Sequence, residues 1–302
     1  MKILTAYYDL SVGPVSFDFV VFLIKAEMAR QRAGADKLQV VIVPDPNGVG
    51  GMFRDKTALY SLDEMHWRLW NICIPACQLL GAGVALAQDW AQAKQMSTGF
   101  FFPVDWDRQT LKNRRHLVGD IITAAKVGTA IPMLRAPVFA RERVRDFYKI
   151  LGLPVVTMTL RSTYMDERNS NREQWMKARD HIWSRGFAPL LLEDVGVALQ
   201  KGGGYGELNL AVRMACYELA ALNMQSNNGT ASLCWFGAAD YRMFDAGVGE
   251  SAAEWKGLFV DQDLPLGTQW PWATPQQKIV YKPATADIII EEFDKWAGAT
   301  NL

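Results

Sequence analysis

No excess of either charge is present: 32 lysines and arginines balance 32 aspartates and glutamates over 302 residues. Such a chain offers no general attraction for a polyanion, so nucleic acid is not expected as a partner. Histidine is scarce. His66, His116 and His181 are the full set, and no two stand at helical ligand spacing, which argues against a zinc site. Cys73, Cys77, Cys216 and Cys234 sit inside apolar periodic segments without paired CxxC spacing and read as buried thiols. No metal is therefore expected, although a Mg²⁺ shared with phosphate stays open. Apolar runs such as Phe19–Ile24 are far too short to span a bilayer, leaving only peripheral membrane contact. Met1 leads straight into KILTAYY without the parts of a signal peptide, so the expected address is cytoplasmic. A GxSxG elbow, a Walker lysine loop, a kinase motif set and repeats of solenoid length are all missing.

What the chain does have is a large apolar fraction, half of all residues, and eleven tryptophans. It can bury a full core, and its length suits two domains of about 150 residues each. HWRLW at 66–70 and TQWPWATP at 268–275 concentrate aromatic residues expected mostly in cores or interfaces.

Strands alternate with helices from the start. Lys2–Tyr8 reads as a strand, Ser16–Arg32 as an apolar helix and Leu38–Val43 as a second strand ending at the turn PDPNG. Ser61 and Glu64 form a capping box before a long amphipathic helix carrying Met65, Leu69, Ile72, Ala76 and Leu79; Pro75 is expected to kink it. Val84–Ala87 and Phe100–Val104 follow as short strands, and RERVRDFYKIL as a charged helix. A boundary near residue 152 gives an N-terminal domain over 1–152 and a C-terminal domain over 153–302. The predicted class is α/β, with two Rossmann-like domains facing a cleft.

The stretch from Val155 to Trp183 is the most telling. Pro154 introduces a strand of β-branched and apolar residues through Leu160, which ends at Arg161. Ser170, followed three residues later by Glu173, forms a capping box and places the next helix start there, with Trp175, Ala178 and Ile182 as its apolar stripe. Pro189 and Leu190–Leu192 supply the following strand. A loop at the carboxyl end of such a sheet, opening onto a helix start, favours anions. Arg161, Arg168 and Arg172, with Asn169, Ser170 and Asn171 between them, add donors suited to phosphate or carboxylate oxygens. The competing reading is internal pairing of these arginines with Asp166 and Glu167.

Further on, KGGGYGE at 201–207 departs from GxGxxG spacing and reads as a connection or closing loop. A helix then carries Leu208, Ala211, Ala215, Leu219 and Leu222 in register. Asn227, Asn228 and Gly229 make a turn, and Ser232–Phe236 reads equally as helix or strand. Lys278–Tyr281 and a helix over Asp287–Trp296 end the domain.

With its strand Thr157–Arg161 ending in arginine at the opening of the second half, the chain resembles GT-B-type glycosyltransferases, the fucosyltransferase-like branch or those of bacterial surface-polysaccharide synthesis. The Ser226–Ser232 turn is similar to the second donor-site loop of such domains. The resemblance implies a glycosyltransferase moving a sugar from a nucleotide donor to a glycan or related acceptor, with no cofactor required. It implies Arg161, Asn228, Gly229 and Thr230 as donor contacts in the C-terminal domain, the N-terminal domain taking the acceptor. A second arginine directly after Arg161 and the glutamate-containing ribose motif of many GT-B enzymes are both missing, so the donor stays open.

Asp9, at the end of the first strand, stands where the base of an inverting reaction commonly lies, with Asp105 and His66 as second choices. An aspartate there is also a common turn former. Two other classes remain: a non-catalytic ligand-binding or assembly protein, and a nucleotide-sugar epimerase or hydrolase using the same anion site.

Overall fold

The computed structural model describes residues 1–97, 99–104, 106, 117–162, 169–193, 209–249 and 252–300. The chain divides into two compact units, Met1–Ile121 with Thr129–Leu134, and Ile122–Gly128 with Arg135–Leu302.

The first unit is built on a parallel sheet of β1 (Ile3–Asp9), β2 (Lys37–Val43), β3 (Gly83–Leu86) and β4 (Phe101–Phe102), in the order β3-β2-β1-β4. β1 and β2 run side by side from Ile3 against Lys37 to Asp9 against Val43. Helix α1 (Asp18–Arg32) is apolar on most sides and buries nine residues from Phe19 to Met28. Tyr8 of β1 meets the edges of Phe19 and Phe22, and its hydroxyl donates to the Pro14 carbonyl at 2.6 Å. Gly13 allows this, because a Cβ there would lie 2.6 Å from Tyr8 Cζ.

The predicted long helix is present but its pitch changes midway. Ser61 caps α2 (Leu62–Arg68), accepting from the Glu64 amide, while the Glu64 side chain turns forward to Arg68. A π turn over Leu69–Cys73 follows, in which Ile74 N–H bonds back to the Leu69 carbonyl, and then α3 (Ile74–Gln78) with Pro75 in its first turn. Proline cannot donate to the carbonyl four residues back and its ring collides there. The wider turn absorbs that conflict inside a continuous helical rod. Short α4 (Trp90–Gln95) and α5 (Gly119–Lys126) complete the helices described before α6.

In the second unit, α6 (Val138–Leu151) closes at Gly152, whose φ of 68° lies in the left-handed region that glycine adopts freely. Five parallel strands follow: β5 (Val155–Thr159), β6 (Ala188–Leu192), β7 (Leu222–Ser226), β8 (Tyr241–Phe244) and β9 (Gln277–Ile279), in the order β6-β5-β7-β8-β9. Helix α7 (Arg172–Ser184) buries Trp175, Ala178 and Ile182, as its periodicity predicts. The remaining α-helices among the described residues are α8 (Leu210–Leu219), α9 (Ala231–Trp235), α10 (Ala252–Leu258) and α11 (Ala286–Thr300).

Alternation along β5 and β7 separates two environments. Val156, Met158, Leu222 and Met224 join α7 and α11 residues such as Trp175, Ile289 and Phe293 in one apolar cluster. Thr157, Thr159, Asn223 and Gln225 are equally buried and occupy the intervening positions. Thr157 donates to Asn223 Oδ1 at 2.6 Å, and Asn223 Nδ2 donates to the Tyr217 and Asp240 carbonyls. A polar layer therefore lies between the sheet and α8.

Two sequence expectations need correction, and one open reading is resolved. Of the helix expected to carry Leu208 through Leu222, α8 holds Ala211, Ala215 and Leu219 and stops at Leu219; Leu222 opens β7 instead, and Leu208 lies outside the described residues. Of the two readings open for Ser232–Phe236, the helix is present: Ser232–Trp235 lie in α9 and Phe236 is its C-cap. Asn171, not Ser170, caps α7, accepting from the Gln174 amide.

Candidate functional site

The strand order of the second unit reverses direction at β5: β6 is added on one side and β7, β8 and β9 on the other. The carboxyl ends of β5 and β7 therefore splay their following loops apart at a switch point, where open α/β sheets take their ligands. Arg161 and Ser170 follow β5, and Asn227–Thr230 follow β7.

Two sets of bonds tie these loops together. Arg161 Nη1 donates to the Asn227 carbonyl at 2.6 Å. The Arg161 amide donates to Ser170 Oγ at 2.8 Å, and Ser170 Oγ lies 2.6 Å from Ser226 Oγ at the end of β7. Ser170 is displaced from the capping role by this use, sitting against a strand fifty-six residues away in sequence. Ser226 also hydrogen-bonds Asp245, the residue after β8, whose backbone is left-handed with a φ of 61°. Burial raises the Asp245 carboxyl above the ordinary carboxylate range, opposed by the Ala284 amide, Ser226 and the charge of Arg161.

Within the turn after β7, Asn228 Oδ1 accepts from the Ala231 amide at 3.1 Å and from Thr230 Oγ1 at 2.8 Å. A backbone amide can only donate, so the atom facing it is the oxygen and the amide orientation is settled. Asn228 Nδ2 is buried and makes no hydrogen bond among the described residues. Such a donor is satisfied by an acceptor from outside, water or an anionic oxygen. Gly229 supplies its carbonyl to Ser232 Oγ.

The predicted residues thus fall into groups. Arg161, Ser170, Asn228, Gly229 and Thr230 meet at the switch point. Asn171 is an exposed helix cap, and Arg172 pairs with Glu193 at 2.6 Å, the internal pairing that competes with an anion role. Asn169 is half-buried beside Ser170. Arg168, Asp105, the acidic Asp166 and Glu167, and the glycine-rich 201–207 loop lie outside the described residues. In the first unit, Asp9 is buried at the end of β1, and its Oδ1 accepts from Ser11 N at 2.9 Å and Ser11 Oγ at 2.6 Å. This is the bonding of a turn former. His66 is exposed and meets the Phe53 ring edge-on at 4.8 Å.

The four cysteines are free and buried, and burial drives each thiol pKa upward, that of Cys216 to about 11. They are poor nucleophiles. Among the described residues no cluster of three or more His, Cys, Asp or Glu could hold a metal, and no helix is long and apolar enough to cross a membrane.

Sequence reasoning names Ser226 only as the start of the donor-site turn, giving it no contact, and passes over Asp245. Their signal is positional: each is the polar residue at or just past the end of a buried strand, and Asp245 is followed closely by Gly247 and Gly249.

Two parallel α/β sheets in this arrangement define the fold of GT-B glycosyltransferases, and the chain has that fold. Among solved structures it is similar to the ADP-heptose LPS heptosyltransferase II of E. coli, with a TM-score of 0.53 and 9% identity over 100% of both chains. It is also similar to a glycosyl transferase of family 9 from Veillonella parvula, with a TM-score of 0.52 and 9% identity over 99% of this chain and 98% of that one. One is named a heptosyltransferase and the other a glycosyl transferase of family 9, so the narrower resemblance to the fucosyltransferase-like branch is loose, whereas the GT-B resemblance holds. No protein-family model matches the chain, and no curated protein matches it in sequence.

Proposed function

We propose that the protein is a glycosyltransferase that holds a nucleotide-sugar donor at the β5–β7 switch point and transfers its sugar to a glycan or related acceptor. The observation that carries this reading is the convergence of Arg161, Ser170, Asn228, Gly229 and Thr230 at the carboxyl ends of β5 and β7, joined by the Arg161–Asn227 and Ser170–Ser226 bonds. A GT-B fold gives such a switch point a donor role by analogy.

In this reading the C-terminal half, from residue 153, takes the donor and the N-terminal half the acceptor. The Arg161 guanidinium and Asn228 Nδ2 meet the charge that develops on the diphosphate as the glycosidic bond breaks. Arg168, Asn169, Asn171 and Arg172, which follow Arg161 in sequence, are assigned to the same donor site. The base that takes the acceptor proton is assigned to Asp9, with Asp105 second; Ser11, which holds Asp9 Oδ1, would orient the carboxylate. The donor is a substrate, and no further cofactor enters the proposal. The E. coli neighbour acts with ADP-heptose, which makes an ADP-linked sugar the first donor to try. Surface-polysaccharide synthesis is the corresponding biological setting.

The test is a thermal-unfolding series with ADP, GDP, UDP and CDP, followed by turnover of the matching nucleotide sugars with and without lipopolysaccharide-type acceptors. A ligand at a hundred times its dissociation constant stabilises by about 2.7 kcal/mol. Stabilisation by one diphosphate, with sugar transfer only when acceptor is present, is the expected result. Stabilisation by none overturns the proposal in favour of an assembly protein, and donor cleavage without acceptor in favour of a hydrolase or epimerase.

A further inference from the structure

The polar layer between the sheet and α8 has a direction. Arg213 of α8 is only 1% exposed, and its Nη2 donates to the Glu193 carbonyl at the end of β6 at 2.6 Å. Its Nη1 lies 3.3 Å from the hydroxyl oxygen of buried Tyr217, one helical turn on. A guanidinium can only donate, so Tyr217 accepts there and has its own hydrogen to pass on. The Tyr217 hydroxyl donates to Thr230 Oγ1 at 3.4 Å, and Thr230 Oγ1 donates to Asn228 Oδ1 at 2.8 Å. Thr159 of β5, 3.0 Å from the same tyrosine oxygen, then acts as a second donor to it.

Every hydrogen in this series points from Arg213 toward the turn after β7. The series ends on the Asn228 oxygen, which leaves the buried Asn228 Nδ2 as a donor with no hydrogen-bond partner among the described residues. A chain of hydrogen bonds headed by a cation in a low-dielectric layer is polarised along its length. Thr157, Asn223 and Gln225 extend the polar layer but are not needed for this direction.

We propose that Arg213 and Tyr217 are positioning residues that act through Thr230 to hold Asn228 with its amide N–H presented to a donor phosphate. The proposal rests on the donor-site reading above. It assigns binding consequences to two residues that belong to the helix behind the sheet, and it makes the turn sensitive to a charge that does not touch the ligand.

The experiment compares the wild type with Tyr217→Phe, titrated with ADP, GDP, UDP and CDP by calorimetry, and follows amide hydrogen exchange at Ala231 in the unliganded proteins. Ile289→Val, in the apolar cluster on the opposite face of the sheet, serves as a matched stability control. Tyr217→Phe removes the hydroxyl shared by Arg213, Thr159 and Thr230, and the loss of its one bond to the turn, that to Thr230, is expected to weaken binding about tenfold. The Ala231 amide, shared between Asn228 Oδ1 and the Asn228 main-chain carbonyl, is expected to exchange faster as the side-chain acceptor loosens, while Ile289→Val changes neither quantity. Arg213→Met should repeat the loss and Arg213→Lys, still a pure donor, should recover most of it, which keeps the test open if one variant folds poorly. Unchanged affinity or unchanged Ala231 exchange in Tyr217→Phe overturns the proposal. A wild type that binds none of the four diphosphates instead removes the donor reading itself, an outcome distinct from a wild type and Tyr217→Phe that bind equally.

Discussion

Arg161 Nη1 reaches across the switch point to the main-chain carbonyl of Asn227, 2.6 Å away, so a side chain following β5 holds the backbone following β7. A lysine has no planar fork and cannot reproduce that reach and direction together with a second contact.

The first prediction concerns this bond. Arg161→Ala removes a charge-assisted hydrogen bond of about 1.5–3 kcal/mol. Nucleoside diphosphate binding should be lost or greatly weakened, and Arg161→Lys should restore only part of it. Calorimetric titration measures both, and wild-type affinity in Arg161→Ala would exclude a donor role for the residue.

Asp245 gives a prediction in pH. Burial raises its carboxyl above the ordinary value, so the folded protein holds a proton that the unfolded chain has released over the window between the two. Its contribution to stability is therefore greatest below the unfolded value and is lost as pH rises through the folded one. Asp245→Asn should raise the urea midpoint at neutral pH, with the advantage shrinking in acid. Asparagine also tolerates the left-handed backbone at φ 61°. A neutral-pH loss in the variant would mean that attraction to Arg161 outweighs burial.

Glu292 is 3% exposed and holds Lys278 at 2.7 Å and the buried Arg242 at 3.6 Å. Burial pulls the Arg242 pKa down and the Glu292 charge opposes that shift. Glu292→Gln leaves the arginine without its carboxylate and should cost about 3–5 kcal/mol, read as a fall in the urea unfolding free energy. A loss much below this would show that the carbonyls of Tyr241 and Gln276, both bonded to Arg242 Nη1, suffice.

Asn171 caps α7 through the Gln174 amide and is exposed. Asn171→Ala should cost about 1 kcal/mol and Asn171→Asp almost nothing in stability. If Asn171 also touches donor, the aspartate variant will keep its stability yet bind nucleotide diphosphate less well, which chemical denaturation and titration together resolve.

Legibility in the sequence followed the range of the forces involved. β5 and the Trp175, Ala178, Ile182 stripe were readable because apolar periodicity is a local record of burial. The capping box at Ser170 was not, since Ser226 competes for the Ser170 hydroxyl and no nearby residue announces it. Strand β8 went unrecognised because Arg242 interrupts its apolar run, and the arginine's partners Gln276 and Glu292 lie far along the chain. Within the candidate site, Arg161 and the Asn228–Thr230 turn carry recognisable chemistry. Asp245 and Tyr217 act through contacts that form only when β5, β7 and β8 are side by side.

The two-faced character of β5 bears on how the second unit avoids misfolding. Sliding that strand by one position would drive Thr157 and Thr159 into the layer of Trp175 and Phe293 and press Val156 and Met158 onto Tyr217. Hydroxyls would lose their partners while aliphatic groups displaced them, so a mispaired chain would be penalised on both sides at once. The strand that supplies the candidate ligand loop thus also resists docking out of step.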